Sequence, residues 1–168
     1  MRELTNFRPD YLVREQDRRC PDAHRIVRNA VAIAGVLHSL PHAVVMDAMD
    51  AVERAENFTD GEHLISPQDA SALATALDSV SNTLASAIDM EWRPHGEASK
   101  DIVEEAHQPS TMSDGTTDFD RVFELTSDGR LALRYPRISL PELVERLPEV
   151  ATFLRQASVD GRDIVLDD

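Results

Sequence analysis

The chain has 168 residues, 42% of them apolar and 29% charged, and carries a formal net charge of -14 at pH 7. That size and apolar share exclude a wholly disordered chain and allow one proper core or two small ones. Cys20, the single cysteine, excludes an internal disulfide, and the overall acidity disfavours nucleic acid as a partner.

The charge is unevenly placed. Residues 1 to 28 sum to +2, residues 29 to 120 to -14 and residues 121 to 168 to -2, and Lys100 is the only lysine beside sixteen arginines. An acid-rich, lysine-poor surface suits concentrated salt, where screening removes self-repulsion, and a GC-rich genome gives a similar bias. The sharper reading is an acidic stretch that imitates a nucleic-acid backbone or docks on a basic partner. The opening Met1 to Asn6 has no apolar signal stretch, which places the expected location in the cytoplasm or a virion.

In chain order, Cys20-Pro21-Asp22 marks a helix start. Ile26, Val27, Ala30, Val31, Ala34, Leu37 and Leu40 recur at steps of three and four, predicting a helix over about 22 to 39. The stretch from Asn29 to Met46 has no formal charge and approaches the length of a membrane span. Gly35, His38, Ser39, Pro41 and His42 interrupt it, so it reads as a buried helix, a turn and the start of a second helix reaching about Asn57. Ser66, Pro67 and Asp69 open a third helix with an acidic capping box, expected to run to about Trp92. Its seam residues Leu73, Leu77, Val80 and Leu84 are the candidates for helix packing, within the bundle or against a partner.

Pro94, Gly96, Pro109 and Gly115 punctuate the stretch from 93 to 118, which reads as an acidic linker or mobile loop, with a short helix at Ser99 to His107. Beyond it the period becomes alternating. Two strands flank Ser127-Asp128-Gly129, and a three-residue loop with Gly129 in a left-handed bulge keeps one face apolar by pairing Leu125 with Leu131 and Phe123 with Leu133. Ser139 and Glu142 cap a helix whose stripe from Leu140 to Leu154 covers the hairpin, with Pro148 expected to kink or split it. Ile164, Val165 and Leu166 form a last strand. The expected fold is α+β: a three-helix bundle over 1 to 92, the linker over 93 to 118, and a ββαβ lobe over 119 to 168.

Site chemistry is sparse. Cys20 and His24 at a helix start suggest an activated thiol for which no third orienting group can be named, and His38 with His42 suggests a zinc site that a carboxylate of another helix would have to complete. No phosphate loop, nucleophile elbow or HExxH motif is present. The expectation is a protein that is not an enzyme, with no cofactor, no metal, no small-molecule substrate and no membrane span. Arg14, Arg18, Arg19, Arg25 and Arg28 form the one basic cluster, interleaved with acids, and are the candidate charged contacts. The leading function is a non-catalytic protein-protein interaction or structural subunit that pairs with a protein partner or with itself. The alternatives are an acidic nucleic-acid mimic that inhibits a DNA-binding protein, and a DNA-binding regulator using the arginines.

Overall fold

The structure, a computed structural model, describes residues 19–20, 22–56, 63–109, 111–117, 121–134 and 138–166. Helix α1 spans Ala23–Leu37, α2 His42–Glu56, α3 Pro67–Ala87, α4 Lys100–Ala106 and α5 Leu140–Asp160, with a 3-10 turn at Glu97–Ser99 leading into α4. Five short strands complete it: β1 (Arg19–Cys20), β2 (His63–Ile65), β3 (Phe123–Leu125), β4 (Leu131–Leu133) and β5 (Ile164–Leu166). The class is therefore α+β.

Both long helices with serine caps begin where their side chains predict. Ser66 accepts from the Asp69 N–H at 3.2 Å and Ser139 from the Glu142 N–H at 3.3 Å, each followed by proline in the first turn. Each cap satisfies one of the donors that a helix N-terminus leaves without an internal partner. Helix α1 starts at Ala23, within a residue of the expected 22, with Asp22 as its N-cap in the left-handed region at φ 60°. Helix α3 stops at Ala87, five residues short of Trp92, because the chain folds back in an Ile88–Pro94 bridge.

The 123–133 hairpin has the expected register, with Phe123 opposite Leu133 and Leu125 opposite Leu131. Gly129 adopts φ 81° and donates to the Thr126 carbonyl at 2.9 Å, while the Thr126 N–H reaches the Arg130 carbonyl at 2.8 Å. Left-handed backbone at that point is the reason a glycine stands there.

Three expectations are corrected. The last strand does not join the hairpin: β5 lies at the centre of a separate sheet, parallel to β1 and antiparallel to β2. The C-terminal strand thereby closes on the N-terminal half of the chain. The stripe on α5 does not serve chiefly as a lid for the hairpin, since its most extensive packing is on α3. Helix α5 is also unbroken, although Pro148 sits inside it. Pro148 is exposed, and Leu143, Leu147, Val150, Ala151 and Leu154 bury both halves of the helix on one side, which offsets the single lost backbone bond.

Contacts and buried side chains also run across the expected units 1 to 92 and 119 to 168. Helices α1, α2 and α3 contact one another, α5 packs on α3 and α1, and one cluster of buried side chains runs from Cys20 through Leu77 and Phe123 to Ile164. The segment expected as a linker contributes to it, because Ile102 on α4 is fully buried and Ala106 nearly so. With aromatics only 5% of the chain, a core of Leu, Ile, Val and Ala reaches useful size by merging the two units. No helix among the described residues is long and apolar enough to cross a membrane.

Candidate interaction surfaces

Leu73, Leu77, Val80 and Leu84 lie inside the molecule, each no more than 1% exposed. They pack within the chain and present nothing to a partner, which corrects the partner-facing alternative for this seam. Among the arginines, Arg25 is ion-paired with Asp22, which also faces Arg146 of α5 at 3.8 Å. Arg28 is exposed on α1 and interacts with a neighbouring group. Arg14, Arg18 and the side chain of Arg19 lie outside the described residues.

The thiol and metal alternatives lose their geometry. Cys20 is a strand residue, 5% exposed and paired with Leu166, so it does not stand at a helix N-terminus. His24 is buried on α1, whereas His38 caps the other end of that helix and His42 opens α2, both exposed. Among the described residues no group of three or more His, Cys, Asp or Glu side chains is placed to hold a metal ion.

One acid has a role the sequence did not disclose. Glu105, on α4 and 9% exposed, accepts from the Val122 N–H at 2.6 Å and the Phe123 N–H at 2.7 Å, fixing the start of β3. Arg134, just after β4, returns the contact. Its guanidinium donates to the carbonyl of Ala106 at 3.0 Å and also to those of Gln108 and Phe123, capping the C-terminal end of α4. Helix carbonyls at that end lack internal partners and favour a cation. The hairpin is thus clamped to α4 from both sides.

The backbone between α3 and α4 forms a tight loop held by several hydrogen bonds. The Asp89 N–H donates to the Arg93 carbonyl at 3.1 Å, and His95 donates to Ala87 at 2.8 Å. The Asp89 carboxylate accepts from the N–H groups of Glu91 at 2.8 Å and Arg93 at 3.0 Å. The Arg93 bond, joined by that of Glu91 against some desolvation, holds the Asp89 carboxyl below its ordinary range. Trp92 at the tip has φ 63° and is locked there by its N–H to the Asp89 carbonyl at 3.1 Å and by the Leu131 N–H donating to its own carbonyl at 2.7 Å. A bulky residue held left-handed stores about 1–3 kcal/mol, so the surrounding bonds must over-determine it.

This loop shapes a groove of about 340 Å³ lined by Leu84, Ala85, Ile88, Asp89, Met90, Trp92 and Val144. Its walls are mainly apolar. Met90 stands on the rim 96% exposed, the most exposed of the large apolar side chains described. On the α5 side, Pro148 has no N–H to offer the Val144 carbonyl, leaving a backbone acceptor at the wall without its usual helical donor.

A second surface lies on α2. Val45, Ala48, Ala51, Val52 and Ala55 bury one side of the helix, and Met46 and Met49 stand 41% and 49% exposed on the other. Asp47, Asp50 and Glu53 share that exposed side. Arg54, the only arginine or lysine of the helix, is turned to Asp69 of α3 through bonds of 2.6 and 3.2 Å. The bond to Asp69 raises the guanidinium pKa above its ordinary value, with smaller contributions from Asp50 and Asp47. Several other acids of the negative interval are consumed internally: Asp78 by Arg155, Glu91 by Arg93 at 3.5 Å and Glu97 by Lys100 at 2.5 Å.

Compared with models of known protein families, with curated proteins and with solved structures, the chain matches none.

Proposed function

We propose that this protein is a non-catalytic interaction or structural subunit, working in a larger cytoplasmic or viral assembly through protein-protein contact or self-association. The observation that carries the reading is Met90, an almost fully exposed apolar side chain beside an apolar groove on a rigidly bonded loop. Exposed apolar surface next to a concave apolar wall is costly in water and is relieved by a partner that covers both. The buried seam of α3 supplies stability and the loop supplies contact. Arg25 is already neutralised by Asp22, which weakens the DNA-binding alternative. The nucleic-acid-mimic alternative needs one continuous acidic face, whereas the acids are spread over α2, α3, the 88–95 loop and α4, several of them paired.

Light scattering over a protein concentration series tests this reading. In molar salt, where the repulsion of the -14 charge is screened, the mass is expected to rise above that of one chain, and Met90→Glu is expected to return it to the monomer. Trp92 is the only tryptophan, so its emission reports directly on the groove and is expected to shift to the blue as association proceeds. A monomer at every concentration and salt, with unchanged Trp92 emission, contradicts self-association through this face.

A further inference from the structure

We infer that the exposed face of α2 is a docking surface for a basic, amphipathic helical segment of another protein. The inference stands on observations separate from the groove at Met90. Met46, Met49 and Glu53 follow one another at steps of three and four, so they form a single stripe, with Asp50 and Asp47 on the adjoining side. Both methionines are half exposed, while Val45, Ala48, Ala51, Val52 and Ala55 on the other side of the helix are buried. Methionine is flexible and polarisable, which suits a surface that moulds to an incoming apolar side chain.

The charge decides which segment fits. Asp47, Asp50 and Glu53 have no ion pair or hydrogen bond to any described side chain; Arg54, whose guanidinium is bonded to Asp69, offsets Asp50 and Asp47 only in part and through space. The face therefore offers two apolar contacts flanked by three carboxylates that outnumber the one nearby cation, Arg54. A helix with an apolar stripe bordered by lysine or arginine matches both features, in the manner of an amphipathic helix laid on a complementary surface. Nucleic acid and anionic lipid carry the same sign as the face and are repelled. A purely basic, non-amphipathic peptide would satisfy the acids and leave the methionines uncovered.

The test uses the full chain and a fluorescein-labelled helical peptide with leucine on one face and lysine on the other, read by anisotropy. A scrambled peptide of equal composition, a triple variant Asp47→Asn, Asp50→Asn, Glu53→Gln, and a charge-matched control Glu104→Gln, Glu124→Gln, Glu145→Gln accompany it; all six positions are exposed. The α2 variant is expected to bind the amphipathic peptide about tenfold more weakly, the control to stay within about twofold of the parent, and the scrambled peptide to bind the parent about tenfold more weakly. Met46→Ser with Met49→Ser, which leaves the charge intact, is expected to weaken binding about threefold or more, while Met90→Glu, on the loop that follows α3, leaves it unchanged. Equal losses in the α2 and control variants would mean that net charge alone attracts the peptide, and the inference fails. Equal binding of the scrambled peptide, or no loss on changing the methionines, overturns it as well. Because the light-scattering experiment reads the groove and this one reads α2, either reading can fall without the other.

Discussion

Replacing Glu105 by alanine is expected to destabilise the protein by about 2–5 kcal/mol, because it strands two backbone donors, the N–H groups of Val122 and Phe123, that the carboxylate now satisfies at 2.6 and 2.7 Å. The loss is large because Glu105 and Phe123 are both buried, so water does not readily replace the missing acceptor. Glu105→Gln retains one acceptor oxygen and turns an amide donor toward the other N–H, so it should lose less than alanine while remaining below the parent. For a chain of this length the alanine variant should melt roughly 5–15 °C lower. Thermal unfolding followed by circular dichroism checks the order parent, glutamine, alanine. An alanine variant as stable as the parent would show that the hairpin does not depend on this clamp.

Leu77→Ala is expected to destabilise by a similar amount, about 2–5 kcal/mol, through lost burial and the cavity left behind. Leu77 is fully buried on α3, whose principal packing partner is α5. Its neighbour in argument is Met90→Ala, a surface change expected to stay within about 0.5 kcal/mol. Denaturant titration of the two variants separates a seam that holds the chain together from a surface reserved for a partner. If Leu77→Ala left the isolated chain unchanged and only impaired association, the seam would belong to the interface after all.

The parts of this fold that sequence reveals are the local ones. Ser66 with Asp69 and Ser139 with Glu142 are capping patterns complete within four residues, and both hold. The hairpin register follows from Gly129 and from the need to keep Phe123, Leu125, Leu131 and Leu133 on one face, which again is a local constraint. Strands β1 and β2 are two and three residues long, too short to show an alternating pattern, and their partner is supplied by residues 164 to 166. Pairing across such a separation leaves no trace in periodicity. Proline at 148 suggested a break because the lost donor is visible in sequence while the opposing burial along α5 is not.

The candidate surfaces were harder to foresee for the same reason. The seam of α3 has the spacing of an interface, and nothing local distinguishes an internal partner helix from an external one. Glu105 falls within the stretch read as an acidic linker, and the N–H groups it accepts from lie 17 and 18 residues away. The sequence pattern places Met90 and Trp92 at the end of a helix, and only the fold-back at Ile88 and Pro94 brings them to the rim of a groove with Val144. The acids of α2 are legible as a charged side, whereas the bonding of Arg54 to Asp69, which leaves them only partly offset, requires the third dimension.

The central structural claim is that the N-terminal helices and the C-terminal hairpin, helix and strand share one core. Equilibrium unfolding by denaturant tests it most directly, followed in parallel by Trp92 emission and by far-ultraviolet circular dichroism. Trp92 accepts a backbone bond from Leu131 and so stands where the two parts of the chain meet. The account predicts a single transition with coincident midpoints by both probes. Two separated transitions, with Trp92 reporting one and helix content the other, would contradict it.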